Sequence, residues 1–285
     1  MTDLPAPLMF ASVPPVPTTF NVLAFGPPGS GKSTFAATAP GPVLWVNAEG
    51  GGALSYARKT ATQRGTTIHE VRLDPLIPVR STLLQVVKHL RSGTEPVART
   101  VVVDTLGKTR DMLVDQIVEK GTRNSLPQYG QVADILGKFV GVLRDLDVNV
   151  VLIAHEDVAD GDQGDRIVRP LIGGQLTEKI PGEVDVVTYC GVVRDDSAGT
   201  VRYVGQLVEG RGRRAKDRSG GLGTSRDLDL SEWLIAYRAA LTPDTSDLPF
   251  TDEAGADTDD TDADARDAEV EAALDLDDAR AEVTA

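Results

Sequence analysis

Gly26-Pro27-Pro28-Gly29-Ser30-Gly31-Lys32-Ser33-Thr34 meets the pattern G-x-x-x-x-G-K-[ST] at every fixed position, and it is entered from the apolar run Phe20 to Phe25. Glycines at these places let successive backbone N–H groups wrap a polyphosphate, and a helix beginning at Lys32 would turn its positive end toward the same anion. Lys32 is spaced to reach the β and γ phosphates and Ser33 to ligate a metal, so ATP and Mg²⁺ are the expected cofactors. Chance would supply the fixed residues in roughly one chain in a hundred, before a flanking strand and helix are required, which disfavours a plain glycine-rich turn.

The 285 residues carry a formal net charge of −14, and all of it resides at one end. Residues 244–285 hold 16 acidic side chains against Arg266 and Arg280, whereas residues 1–243 balance 27 acidic with 27 basic groups. The acidity therefore describes a tail and does not exclude a polyanionic ligand for the rest. With few large apolar residues and a bias to Asp, Ala and Thr, residues 243–285 are expected to be a disordered acidic tail. That tail could be solubilising charge, a mimic of nucleic acid, or a docking segment built on Val270 to Leu276. The one cysteine, Cys190, lies in an apolar run, so no intrachain disulfide can form. No segment approaches the length of a membrane span and no leader pattern precedes the prolines of residues 1–18. A cytoplasmic protein with no membrane partner is expected.

After that extended segment, 1–18, short β-rich runs alternate with longer helical stretches, the pattern of a mostly parallel sheet covered by helices. Strands are expected at 20–25, 43–48, 67–73, 99–104 and 148–154. Helices are expected at 32–39, 53–63, 79–91, 107–120 and 128–146, the last with Val132, Ile135, Leu136, Phe139, Val142 and Leu143 on its buried face. A polar loop then runs from Asp157 to Gly174, followed by a short helix, a β-hairpin from 184–193 and 200–208, a basic stretch, and a closing helix from Leu230 to Leu241. Residues 19–242 thus read as one α/β ATPase domain.

ATP hydrolysis needs a metal holder and a group that positions or activates water. Val101-Val102-Val103-Asp104 is an apolar strand ending in a carboxylate, which suits Asp104 to the metal's water shell; an aspartate capping the next helix is the alternative. Glu49 ends another strand and precedes three glycines, and ligands of parallel sheets gather at the strands' carboxyl ends. It is the candidate general base, against the alternative of a surface glutamate. His155 follows the strand ending at Ala154 and would share that rim, either as a sensor of the γ-phosphate or as a structural residue. Arg211, Arg213, Arg214, Lys216 and Arg218 place five cations in eight residues, which suits recognition of nucleotide or nucleic-acid phosphate.

In their order, the phosphate loop, the strand ends at Glu49, Asp104 and His155, and the later Gly173-Gly174 resemble RecA-type ATPase cores. Ala215-Lys216-Asp217-Arg218 is similar to the Lys-x-Arg element of DnaB-type ring helicases. With Gln128-Tyr129-Gly130 and the short length, residues 18–240 most resemble the minimal RecA-like ATPases of phage genomes, including the Sak group of single-strand annealing recombinases. The resemblance implies a RecA-like α/β fold with Glu49 as catalytic base and His155 as sensor where RecA proper has glutamine. It also implies that Lys216 and Arg218 act in trans on a neighbouring subunit's nucleotide, hence a homo-oligomeric ring or filament. The loop 157–172, with Arg166 and Arg169, would lie where such proteins contact single-stranded DNA, joined by Arg211, Arg213 and Arg214. The implied activity is DNA-stimulated ATP hydrolysis serving annealing or strand pairing, in the host cytoplasm if phage-encoded. A single-stranded DNA-binding protein or another replication protein would be a further partner. The alternatives are a helicase or helicase loader, and a nucleotide-dependent switch acting on a protein.

Overall fold

A computed structural model of the chain describes residues 16–95, 97–118, 125–160, 166–195 and 199–242. The expected acidic tail, most of the proline-rich segment, and residues 161–165 of the expected loop lie outside these described residues. Strand β1 (Asn21–Phe25) leads through the glycine loop into α1 (Lys32–Ala37), then β2 (Val43–Asn47), α2 (Ser55–Gln63), β3 (Ile68–Arg72), α3 (Val79–Ser92) and β4 (Thr100–Asp104). Helices α4 (Leu106–Ile117) and α5 (Leu126–Asp145) follow, then β5 (Asn149–Asp160), β6 (Arg166–Leu171), α6 (Leu176–Glu183), β7 (Val186–Asp195) and β8 (Thr200–Gln206). Two short strands, β9 (Lys216–Asp217) and β10 (Ser225–Asp227), precede α7 (Leu230–Leu241).

The sheet order is β10-β8-β7-β1-β5-β4-β2-β3, parallel from β3 to β7 and antiparallel beyond. Strands β1, β2 and β4 are buried along their whole length, which is why they read as unbroken apolar runs. Alternate residues feed two cores. Leu23 and Phe25 pack with α3, α4, α5 and α6 on one face, while Val22 and Ala24 pack with Phe35, Trp45 and the α7 residues Trp233 and Tyr237 on the other. Helix α5 buries Val132, Ile135, Leu136, Phe139 and Leu143 as expected, with Val140 beside them and Val142 only partly covered.

The expected loop at 157–174 is instead mostly sheet. Strand β5 outruns its neighbours and pairs with β6 antiparallel, Val158 opposite Val168 and Asp157 opposite Arg169. Its polar composition hid an alternation in which the two strands satisfy each other's backbone outside the main sheet. The hairpin of β7 and β8 matches expectation, with Val192 opposite Tyr203. Unexpectedly, β9 adds to β7, pairing Val186 with Asp217 and Val187 with Lys216. Among the described residues no helix is long and apolar enough to cross a membrane.

Candidate functional site

Register places the carboxyl ends of the central strands side by side: Phe25 opposite Ala154, Asp104 opposite Ile153, and Asn47 opposite Asp104. The residues that follow these ends converge on a cleft of about 580 Å³ lined by Gly29, Lys32, Ser33, Glu49, Asp104 and His155 among others. Such a crevice is where ligands of open α/β sheets bind.

The cradle is built by backbone that only glycine accepts readily. Gly26, Gly29 and Gly31 have φ of 147°, 78° and 89°. A Cβ on Gly26 would come 2.4 Å from the Cys190 carbonyl, so β7 crosses directly against the loop. Lys32 donates to the carbonyls of Gly26 at 2.8 Å and Pro27 at 2.7 Å, folding its ammonium under the loop. Burial lowers the Lys32 pKa, and the Asp104, Glu156 and Glu49 carboxylates act against that. Cys190 is free and buried, its thiol pushed up to about 12 by desolvation, so it is inert.

Ser33 Oγ donates to Asp104 Oδ2 at 3.1 Å. Burial pushes the Asp104 carboxyl up to about 6; the Ser33 hydrogen bond opposes this, the Glu49 charge adds to it, and Lys32 opposes it. A hydroxyl and a carboxylate meeting at a phosphate loop form a hard oxygen donor pair, which fits Mg²⁺ completed by water and phosphate oxygens.

Glu49 is brought to the rim by Asn47, whose buried amide carries three bonds. Its Oδ1 accepts from Glu49 N at 2.9 Å, and its Nδ2 donates to Gly50 O at 3.0 Å and to Glu70 Oε1 at 2.8 Å. Thr105 donates to Glu49 Oε1 at 2.7 Å, and His155 Nε2 lies 3.7 Å from the same oxygen. Lys32, Ser33, Asp104, Glu49 and His155, five separate expectations, thus share one site. Sequence reasoning missed Asn47, Thr105, Tyr56, Tyr203 and Leu228. The last three line the cleft, and a Cβ on Gly31 would lie 3.0 Å from Tyr203 Cδ1 and 3.3 Å from Leu228 Cδ1. Tyr203 arrives from a hairpin 170 residues along the chain from the phosphate loop, for which no local spacing is a signal.

The two arginine segments are interlocked. Val168 N donates to Gly212 O at 2.6 Å and Arg214 N to Val168 O at 3.0 Å, so the turn carrying Arg211 and Arg213 is stitched to β6 beside Arg166. A Cβ on Gly212 would sit 2.4 Å from the Arg166 carbonyl, which makes glycine a requirement there. Within this cluster Arg169 pairs with Asp157 at 3.1 Å, and Glu178 takes Arg214 at 2.6 Å and Arg169 at 3.7 Å. Arg213 instead lies over the Tyr189 ring, 4.3 Å from its centroid. Tyr129, on the first turn of α5, sits beneath the Arg110 guanidinium at 5.8 Å.

Lys216 and Arg218 do not enter this chain's own cleft. Lys216 Nζ donates to Pro181 O at 2.5 Å, and Arg218 to Gly182 O at 2.6 Å, with Asp185 3.4 Å from its guanidinium. Both therefore cap the C-terminal end of α6, where cations are favourable. Burial and the Arg218 charge lower the Lys216 pKa, and Asp185 acts against them.

The strand order, the phosphate cradle and the paired Ser33 and Asp104 define an α/β P-loop domain with a mostly parallel sheet. A family model described as AAA domain matches residues 18–219, and the chain belongs to that family. Among solved structures, the KaiC-like protein PH0186 from Pyrococcus horikoshii OT3 is similar at 16% identity, over 70% of this chain and 83% of that one, with a TM-score of 0.41. The flagellar accessory protein FlaH from Methanocaldococcus jannaschii is similar at 10% identity, over 68% and 80%, with a TM-score of 0.36. No curated protein matches the chain.

Proposed function

We propose that this chain hydrolyses ATP between subunits of a homo-oligomer and uses the cycle to bind and release single-stranded DNA in annealing or strand pairing. The observation that carries the ATPase reading is the convergence of Lys32, Ser33, Asp104 and Glu49 on one cleft. Backbone N–H groups of the 26–31 loop and the Lys32 ammonium would hold the β and γ phosphates. Ser33 would ligate Mg²⁺ directly and Asp104 through its water shell, and the ion would supply charge neutralisation on the phosphate oxygens. Glu49 accepts the proton of the attacking water, and His155, beside it, registers the γ-phosphate at the point where β5 leaves the sheet. Tyr203 and Leu228 offer an apolar face to the base.

The DNA reading rests on the interlocked arginines 166, 211 and 213. Arg169 and Arg214, held by Asp157 and Glu178, shape the surface more than they add charge to it. The Tyr189 ring under Arg213 keeps that guanidinium presented for phosphate. Lys216 and Arg218, absent from their own cleft, are assigned to the neighbouring subunit's nucleotide.

ATP turnover measured with and without single-stranded DNA, using Lys32→Ala as the blank, tests the reading. Stimulation by DNA supports it; turnover indifferent to DNA removes the nucleic-acid assignment. Mixing Lys32→Ala with Arg218→Ala chains tests the trans role: mixed oligomers regain turnover if one chain's site uses the other's arginine, and stay inactive if they do not.

A further inference from the structure

We infer that Thr105 is a positioning residue for the reaction, holding the Glu49 carboxylate in place across the gap between two adjacent strands. The inference rests on Glu49 being the base. Thr105 directly follows the metal-side carboxylate Asp104, and it is buried at 2% exposure at the N-terminus of α4. Its backbone is fixed by that helix: its carbonyl accepts from Thr109 N at 3.0 Å and from Thr109 Oγ1 at 2.9 Å. A threonine hydroxyl has one proton to give. Here it goes to Glu49 Oε1 at 2.7 Å, while the lone pairs face Lys108 N, 3.4 Å away, as a helix cap.

The geometry gives this proton two tasks. The Glu49 charge adds to the burial that raises the Asp104 pKa, and a donor on the Glu49 carboxylate offsets the repulsion between the two like charges. With Oε1 occupied, the carboxylate is also fixed in rotation, leaving Oε2 as the oxygen that receives a proton from water. Asn47 fixes the backbone of Glu49 and cannot do this, because it bonds to the N–H and not to the carboxylate. A base held in direction by a buried hydroxyl needs no reorganisation as the attacking water gives up its proton.

The test compares Thr105→Val, which keeps the shape and loses the donor, with Thr105→Ser, which keeps donor and cap, in steady-state ATP turnover of the full chain. Glu49→Gln is measured in parallel, and affinity for Mg²⁺ with a non-hydrolysable ATP analogue is measured for all three. The expected result is a fall in kcat of roughly 10- to 100-fold for Thr105→Val, with KM and analogue affinity within about twofold and kcat restored in Thr105→Ser. Loss of the helix cap would lower thermal stability but would not by itself produce that split between kcat and KM. Should Thr105→Val unfold, Thr105→Ala read against Thr105→Ser makes the same comparison. Unchanged kcat in Thr105→Val with inactive Glu49→Gln overturns the inference alone, as does loss of analogue binding in Thr105→Val. An active Glu49→Gln overturns the base assignment first and this inference with it.

Discussion

Asp104 shows how burial tunes a single group before any ligand arrives. Its carboxyl, ordinarily near 3.8, is raised to about 6, chiefly by desolvation. A raised carboxylate pKa means that the folded chain binds the proton more tightly than the unfolded one, so this group's contribution to stability is fully present below about pH 4 and is lost as pH rises through 6. Metal binding runs the other way, because Mg²⁺ needs the ionised form. Affinity for Mg²⁺ with nucleotide is therefore expected to hold from pH 8 to 7 and to fall toward about tenfold per pH unit below 6. Isothermal titration across pH 5 to 8 checks it, and Asp104→Asn should bind weakly at every pH. The exposed ring of Tyr203 lies against the phosphate loop at Gly31. Tyr203→Ala should raise the nucleotide Kd by about 3- to 10-fold and leave inorganic triphosphate binding unchanged, measured by competition. Equal losses for both ligands would mean that Tyr203 supports the loop and does not contact the base.

At the level of elements, the short helix behind the phosphate loop is held by the far end of the domain. Helix α1 has only six residues and ends at Thr38, whose hydroxyl accepts from Leu230 N at 2.7 Å while its carbonyl accepts from Ser231 Oγ at 2.6 Å. Trp233 of α7, fully buried, packs on Phe35 with ring centroids 4.6 Å apart and donates to Asp227 O at 2.7 Å. Trp233→Ala should cost about 3–5 kcal/mol in chemical denaturation and weaken nucleotide binding, because α1 loses its backing; a loss below about 1 kcal/mol would contradict this packing. This dependence was invisible in the sequence, where Leu230 to Leu241 reads as a closing helix with no stated partner. Strands buried on both faces announced themselves, since Val101 to Val103 or Val43 to Val46 need no polar side. The ribbon did not: with Asp157, Asp160, Arg166 and Arg169 spread along it, its strand character comes from mutual pairing and not from burial. The phosphate loop, Asp104 and Glu49 were legible because each sits at a strand end that local pattern defines. Thr105 and Tyr203 owe their roles to proximity created by folding. Asn47, though beside Glu49, looked like one more residue of a strand.

Across the whole described domain, the phosphate cleft and the arginine face are joined by strand β5 and its neighbour. His155 Nε2 lies 3.7 Å from Glu49 Oε1, and the next residue, Glu156, adds to the burial that raises the pKa of Tyr189 on β7, whose ring carries Arg213 at 4.3 Å. Phe25, the last residue before the phosphate loop, meets that same ring edge-on at 5.5 Å. His155 and Glu156 are consecutive on β5, and Arg213, stacked on Tyr189, belongs to the turn that is stitched to β6. If single-stranded DNA binds that face, Tyr189, packed on both Arg213 and Phe25, is the side chain placed to couple it to the cleft. Replacing Arg166, Arg211 and Arg213 with alanine should weaken DNA binding and reduce the slope of log Kd against log salt by about two to three, while turnover without DNA stays near the parent value. Tyr189→Phe is the sharper experiment, because it keeps the ring under Arg213 and against Phe25 and deletes only the hydroxyl. Its DNA affinity should match the parent, and the stimulation of ATP turnover by DNA should drop severalfold. Full stimulation in Tyr189→Phe would show that the signal travels through the β5–β6 ribbon alone, since that route leaves the Tyr189 hydroxyl out.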